Sequence, residues 1–407
     1  MFESPSIIVG LEIGTSKVCA VVGELSPEGA LNIVGLGQAR SRGVRKGEIC
    51  DTSLVEEDVR NAIVEAEQMA DVEIRSVFLG VTGAHVRGFN NRGVHHIASA
   101  DREITEDDVQ DVLKNARTIN LPAENHAIHN IRQHFLVDGQ DGITDPVGML
   151  GARVEVDVHV VHGNFNRLQN AVRLVKGLQL EVDEIVFTGL ASSLALLTNE
   201  QKELGALVMD IGGGTTDYVV CANGVIKHVG VLAVGGDHLS NDLAYGLKVS
   251  LGRAEDLKIH YGAASVQNTA DDETITVGKE VGMLLKVINL ANLRRITAAR
   301  LEEIFELVGQ DLEQAGVLDY VRAGVFLCGG TARIPGIAAL AERVLDMPAS
   351  IGKANSISGL KSALDQPEFA TAIGLVKFGS FHQPKRNGKA TLAEGIRNTF
   401  GQIFSRR

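Results

Sequence analysis

Two copies of one glycine-rich motif constrain the fold of this chain more than any other feature. In the copy at 206–220, an apolar run ends near Asp210 and is followed by a small polar turn and a second β-prone run. This pattern predicts a strand, a tight turn and a strand. The copy at 7–22 aligns with it at a constant offset of 198 residues, which places Glu12 on Asp210. Two such hairpins predict two related lobes that hold one phosphate chain from opposite sides.

The residue types in these turns suit a phosphate group and its metal ion. Glycine has no Cβ, so the turn amides can point at an anion. The acids at the strand ends, Glu12 and Asp210, are predicted to hold a hydrated magnesium ion. A lone glycine-rich hairpin would be explained equally well as an ordinary turn, and the second copy favours the site. The predicted phosphate contacts are Gly14, Thr15, Ser16, Lys17, Gly212, Gly213, Gly214, Thr215 and Thr216.

A third glycine turn follows another apolar run and precedes a predicted helix. Its Gly329 and Gly330 would let a nucleoside lie against the backbone. Glu255 and Lys258 are three residues apart in a helical pattern, so they share one helix face and could bracket ribose and adenine. An ordinary surface ion pair is the alternative. The basic loop at 41–47, with its arginines and lysine, is predicted to be solvated.

Composition excludes several classes of protein. The 407 residues predict two to four subdomains, and 44% hydrophobic with 22% charged residues predicts a folded chain. The balance of 39 basic and 51 acidic residues gives a net charge of −12, which argues against nucleic-acid binding. The four cysteines lack CxxC spacing and three of them lie in apolar runs, which predicts core packing in a reducing cytoplasm. With no signal peptide and no long apolar run, a cytosolic or peripheral protein is expected.

The C-terminal end carries a separate signal. The stretch at 379–389 is polar and contains Pro and two Gly, which predicts a linker, placed at 381–390, before a helix at 391–407. From His382 onward there are six basic residues and one acidic residue. A basic helix with one apolar face suits a membrane interface, although packing on the protein's own core is the alternative. The predicted membrane residues are Leu392, Ile396, Phe400, Ile403 and Phe404, with Arg397, Arg406 and Arg407.

In this order, the three glycine turns resemble those of the actin, sugar-kinase and heat-shock-chaperone ATPase superfamily. Within it, the motifs at 10–17, 189–193, 210–215 and 329–336 resemble the FtsA family of bacterial division proteins. The resemblance extends from about residue 6 to the C-terminus. It implies an α/β, actin-like two-lobe ATPase fold with an inserted small α+β subdomain and a C-terminal amphipathic helix on a flexible linker.

The resemblance also implies a function. It predicts a protein that binds ATP and Mg2+ and self-assembles into filaments on the cytoplasmic face of the inner membrane at the division site. There it would anchor the FtsZ ring by binding the FtsZ C-terminal peptide, while later division proteins would bind the inserted subdomain. The implied subdomains are a first lobe (1–83, 163–196 and 360–380), the insert (84–162), a second-lobe core (197–226 and 306–359) and an FtsZ-binding second-lobe subdomain (227–305).

One residue departs from the superfamily pattern. Thr188 occupies the position where related ATPases carry Glu or Gln to orient the attacking water. A threonine cannot act as a general base, so the chain is predicted to be at most a slow ATPase. A PilM-like pilus-assembly adaptor and a phosphotransferase of the same superfamily remain alternatives. Removal of 391–407 would distinguish a membrane-assembling protein from both alternatives, because neither alternative needs the terminal helix.

Overall fold

The computed structural model describes residues 6–98, 101–266, 270, 272–278, 286–355, 357–360 and 365–382. The predicted membrane-targeting helix at 391–407, with all eight of its predicted membrane residues, lies outside the described residues. In chain order the strands are β1 (Ser6–Ile13), β2 (Lys17–Leu25), β3 (Leu31–Arg40), β4 (Val44–Arg45), β5 (Glu48–Ile49), β6 (Ser76–Val81), β7 (Arg87–His96), β8 (Asn125–Val137), β9 (Gln140–Ile143), β10 (Arg153–Asn164), β11 (Glu181–Phe187), β12 (Ala206–Ile211), β13 (Thr216–Ala222), β14 (Val225–Leu232), β15 (Thr274–Val277), β16 (Lys286–Asn289), β17 (Val325–Cys328), β18 (Ala349–Ile351) and β19 (Ser358–Gly359). The α-helices are α1 (Thr52–Ala70), α2 (Glu106–Arg117), α3 (Phe165–Gly177), α4 (Thr188–Leu196), α5 (Asn199–Leu204), α6 (Gly236–Leu247), α7 (Leu251–Tyr261), α8 (Leu290–Gln314), α9 (Ile337–Leu345) and α10 (Ala370–His382).

Two sheets that share one strand order over five strands form the two lobes, and the first has β19 as an additional edge strand. The first has the order β11-β6-β1-β2-β3-β19, and the second has the order β14-β13-β12-β17-β18. In each sheet the central strand pairs antiparallel with the next strand in the chain and parallel with a later one. All six residues of β12 are buried, as expected for a strand covered on both faces. The predicted α/β class with two related lobes is therefore confirmed.

The internal repeat extends to the turns of the two hairpins. The Gly14 amide donates to the Lys17 carbonyl at 2.9 Å, and the Gly212 amide donates to the Thr215 carbonyl at 2.9 Å. Both pairs are related by the offset of 198 residues found in the sequence. The same local pattern has thus produced the same turn twice.

An α+β unit is inserted after β6. Its sheet has the order β7-β10-β8-β9, and α2 packs on the sheet to enclose a separate small core. Thr105 followed by acidic residues at 106–108 predicts the start of a helix, and the structure confirms it, because Thr105 and Asp108 form a reciprocal capping box at the N-terminus. The subdomain boundaries given above remain predictions.

The second-lobe subdomain differs in one element from the sequence prediction. Apolar residues at helical spacing, among them Leu293, Ile304 and Val308, predict a helix from Ile288 to Glu313, but Ile288 lies in β16, which pairs with β15. The helix α8 begins two residues later, because the Asn289 side chain caps it by accepting from the Asn292 amide at 2.8 Å. The described residues before α8 therefore include a pair of antiparallel strands, β15 and β16.

Two helices, α4 and α10, cross between the lobes. They pack closely at Gly374, where a Cβ would lie 1.8 Å from the Ala191 carbonyl oxygen. The helix α10 continues to His382, so residues 379–382 at the start of the polar stretch, which predict part of a linker, are helical. Gly379 lies against Ile8 and Phe78, and the His382 ring contacts the Phe378 ring at a centroid distance of 4.5 Å. Within the described part of the chain, no helix is long and apolar enough to span a bilayer.

Candidate functional site

A cavity of about 560 Å³ lies between the two hairpin turns. Its volume falls within the range of about 300–1,000 Å³ that is usual for ligand pockets. Both lobes contribute to its walls, together with the third glycine turn and the helices α6 and α7. Of the residues predicted to form the site, those lining it are Glu12, Gly14, Thr15, Ser16, Lys17, Asp210, Gly212, Gly213, Thr215, Glu255, Lys258, Gly329 and Gly330.

Two predicted phosphate contacts do not line the cavity. Thr216 is fully buried, and its hydroxyl donates to the Val234 carbonyl at 2.8 Å. Gly214 instead lies where the lobes meet, and a Cβ there would be 2.5 Å from Thr15 Oγ1 and 2.8 Å from the Lys46 backbone. The alternation of side chains along a strand turns Thr216 away from the cavity, where its hydroxyl ties the end of the turn to Val234.

The acid of each hairpin has a different partner. Glu12 Oε2 accepts from Lys17 Nζ at 3.1 Å. Burial raises the pKa of Glu12, and the neighbouring Lys17 charge only partly offsets this effect. Asp210 Oδ2 accepts from Ser192 Oγ of α4 at 2.7 Å and from Thr371 Oγ1 of α10. Both interlobe helices therefore hold the second carboxylate in place.

A third carboxylate in the cavity was missed by the sequence analysis. Asp217 is buried in β13 and accepts from Thr82 Oγ1 at 2.5 Å and from Thr188 Oγ1 at 2.8 Å. Burial and the nearby Asp210 charge raise the pKa of Asp217 to about 7. The signal was present, since the polar turn ends on this acid, and Asp210 and Asp217 are directly paired across the hairpin.

The residues predicted to hold the nucleoside also lie together in the cavity. Lys258 Nζ lies 2.7 Å from Glu255 Oε2 and donates to the Gly236 carbonyl at 3.1 Å. Gly329 has a φ of +84°, and a Cβ there would lie 2.5 Å from Asp210 Oδ1, so a side chain would be strained at this position. The third turn is tied to the second hairpin because Thr331 Oγ1 donates to the Gly212 carbonyl at 3.0 Å. Lining residues that sequence reasoning missed include Thr82, Asp217, Gly236, Asp237, Thr331, Arg333, Glu368 and Thr371.

The basic loop beside the cavity is solvated, as predicted, and it is also anchored. Arg42, Arg45 and Lys46 are all exposed. The Arg42 guanidinium also donates from Nε to Asp58 Oδ1 at 2.8 Å, and Asp58 is buried in α1. The Gly47 amide donates to Thr15 Oγ1 at 3.0 Å. The loop is therefore anchored both to α1 and to the first phosphate turn.

A duplicated sheet with a cleft between two glycine hairpins defines a protein of the actin-like ATPase fold. The PilM–PilN type IV pilus biogenesis complex has a similar chain, with a TM-score of 0.66 at 17% identity, covering 93% of this chain and 99% of that one. MreB5 of Spiroplasma citri bound to ADP gives a TM-score of 0.53 at 17% identity, covering 93% and 97%. At such identities the likeness shows the fold, and it confirms the predicted two-lobe architecture.

Sequence comparison then gives the family. The family model of cell division protein FtsA matches residues 207–374, and that of the SHS2 domain inserted in FtsA matches residues 83–162. Cell division protein FtsA of Pseudomonas aeruginosa is 38% identical over 377 residues, covering 93% of this chain and 90% of that protein. The Escherichia coli protein of the same description is 35% identical over 407 residues, covering 98% and 96%. The chain belongs to the FtsA family of cell division proteins, as the motifs indicated.

Proposed function

We propose that this protein binds ATP with Mg2+ in the cleft and uses the bound nucleotide to assemble on the inner membrane. The observation that carries the proposal is the pair of equivalent turns facing one cavity. Their amides and Lys17 are suited to contact the phosphates. The Glu255–Lys258 pair and the Gly329–Gly330 turn would hold the nucleoside.

The donor set fits a magnesium ion bound through water. Glu12, Asp210 and Asp217 bring three carboxyl groups to one cavity, and two of these have raised pKa values because burial disfavours their charge. A cation would relieve this cost. Among the described residues, no group of three or more His, Cys, Asp or Glu side chains is arranged to ligate a metal ion directly. Mg2+ commonly keeps several waters and uses phosphate oxygens, and it would neutralise phosphate charge here.

The chemistry of the cleft favours slow hydrolysis. The Thr188 hydroxyl already donates to Asp217, so it orients that carboxylate rather than acting as a base. Asp217 in turn is held by two hydroxyl donors and sits at the end of the hairpin opposite Asp210. These contacts support a nucleotide-dependent structural role with at most slow ATPase activity.

Assembly on the cytoplasmic face of the membrane at the division site is the second part of the proposal. The apolar and basic terminal helix would anchor each subunit weakly. In a filament, several such helices would bind the membrane together and so with higher avidity. The FtsZ C-terminal peptide would bind the 227–305 subdomain, which exposes the apolar side chains of Tyr245, Leu251 and Val287. Later division proteins would bind the insert at 84–162. Membership of a cell-division family supports this reading over a pilus adaptor or a phosphotransferase.

Vesicle sedimentation tests the proposal. The intact protein and a chain ending at residue 390 are mixed with vesicles containing anionic lipid, with and without ATP and Mg2+, over a range of protein concentrations. The intact protein with ATP should show a bound fraction that rises with concentration, while the shortened chain should stay in solution. A flat bound fraction would contradict assembly, and equal binding of the shortened chain would contradict the anchor. Calorimetric titration with ATP should give the same affinity for both chains.

A further inference from the structure

The helix α4 starts without a cap from its own sequence. Its N-cap residue is Phe187, which has no side-chain acceptor for the amides of the first turn. The Phe187 amide instead donates to His129 Nε2 at 3.0 Å. His129 lies in β8 of the insert, 58 residues earlier in the chain. A side chain of the insert therefore anchors the start of an interlobe helix.

His129 contacts the second interlobe helix as well. Its ring centroid lies 5.9 Å from that of Phe378 in α10. The residue is 1% exposed, and burial, with the neighbouring His382, lowers the pKa of His129 to about 3. The ring is therefore neutral near pH 7, which leaves Nε2 able to accept the Phe187 amide. His129 is therefore a buried contact between the insert and both helices.

The helix that begins at this contact also provides hydroxyl donors to two carboxylates in the cleft. Thr188, the first residue of α4, donates to Asp217 Oδ2 at 2.8 Å. One turn further along, Ser192 donates to Asp210 Oδ2 at 2.7 Å. A displacement at the start of α4 would move the donors to both carboxylates. Only the Phe187 peptide unit separates the insert's imidazole from the residue that orients Asp217.

We propose that His129 is a positioning residue for the nucleotide cleft, through which the insert and the bound nucleotide influence each other. The proposal rests on the proposed binding of ATP. A partner that moves the insert would change ATP affinity, and ATP would change that partner's affinity by the same factor.

Three variants test it, with calorimetric titration of ATP and Mg2+ on the full chain as the measurement. His129→Leu removes the acceptor, leaves a buried amide unpaired, and should weaken ATP binding by about 5- to 50-fold. His129→Gln keeps an acceptor oxygen and should recover most of the affinity. His126→Leu, in the same strand but exposed, is the matched control and should bind as the wild type does.

A double-variant cycle separates positioning from a general loss of structure. Thr188→Val alone should weaken binding, and adding His129→Leu to it should weaken binding little further, because both changes interrupt one path. Fully additive losses, or unchanged affinity in His129→Leu, would overturn the inference. If the wild type itself binds no ATP, the proposed function is wrong and this inference falls with it.

Hydrogen–deuterium exchange of the wild type gives an answer even if His129→Leu does not fold. ATP and Mg2+ should slow exchange in the peptides that cover β8 and the start of α4. Unchanged exchange in β8 on addition of a saturating nucleotide would overturn the inference.

Discussion

Gly374→Ala should destabilise the protein, although alanine normally stabilises a helix. A Cβ at Gly374 would lie 1.8 Å from the Ala191 carbonyl oxygen and 2.3 Å from its carbonyl carbon. Both atoms belong to the backbone of α4, so they cannot rotate away as a side chain would. The helices α4 and α10 would have to separate by well over an ångström.

The size of the effect follows from two opposing terms. Overpacking of a tight site costs about 1–3 kcal/mol, and a backbone neighbour places this site at the upper end. Replacing Gly by Ala within a helix by itself raises the unfolding free energy by about 1 kcal/mol. The net loss in unfolding free energy should therefore be about 2 kcal/mol. Separation of the helices would also pull Ser192 and Thr371 from Asp210, so ATP affinity should fall about tenfold or more.

Urea denaturation of Gly374→Ala and of a matched control, Gly252→Ala, measures the change in unfolding free energy. Gly252 lies in α7, and a Cβ there would meet nothing within 4 Å. Gly252→Ala should therefore raise the unfolding free energy by a few tenths to about 1 kcal/mol. The same substitution should thus act with opposite sign at the two helical sites. If Gly374→Ala is as stable as the wild type or Gly252→Ala, the close approach of α4 and α10 is wrong.

Three further predictions address the cleft and its supports. Lys17→Ala should weaken ATP binding about tenfold or more in calorimetric titration, because a charged donor contributes about 1.5–3 kcal/mol; an unchanged affinity would exclude Lys17 from the phosphate site. Asp217, with its raised pKa of about 7, keeps its proton when folded over a range in which the unfolded carboxyl, with an ordinary pKa of 3.8, has lost it. The nucleotide-free protein should therefore lose stability as pH rises from about 4 to about 7, and thermal unfolding of Asp217→Asn should show a smaller loss; parallel profiles would refute the shift. Asp58→Ala removes a buried acceptor of the Arg42 guanidinium and amide and should cost about 1–3 kcal/mol in urea denaturation, whereas the exposed neighbour Glu57→Ala should stay within about 0.5 kcal/mol.

The parts of the site that the sequence predicts are those built by local pattern. Each hairpin needs only an apolar strand, a small polar turn and a second strand, and all three lie within about fifteen residues. The identical turn bonds at Gly14 and Gly212 show that the local pattern alone specifies the geometry. The Glu255–Lys258 pair was predictable for the same reason, because helical spacing places residues three apart on one face.

The parts that escaped prediction depend on distant segments meeting. Ser192 and Thr371 are 179 residues apart, yet their hydroxyls lie 2.9 Å from each other beneath Asp210. Ser192 lies in the motif at 189–193, but the sequence marks neither hydroxyl as a donor to Asp210, since hydroxyls in helices usually bind the preceding turn. The helical conformation of residues 379–382 escaped prediction because Gly379 and the polar stretch after it indicate a linker. Tertiary contacts of Gly379 and His382 with Phe78 and Phe378 outweigh that local preference.

The support of Asp210 offers a physical basis for nucleotide-dependent assembly. Its carboxylate takes one hydroxyl from each interlobe helix, and these helices pack backbone to backbone at Gly374. A rotation between the lobes would therefore change both donors of the residue proposed to hold magnesium. Conversely, a cation near Asp210 would favour the lobe arrangement in which both hydroxyls reach the carboxylate. Under the proposed function, contacts between subunits that require one lobe arrangement would then depend on the nucleotide without touching it.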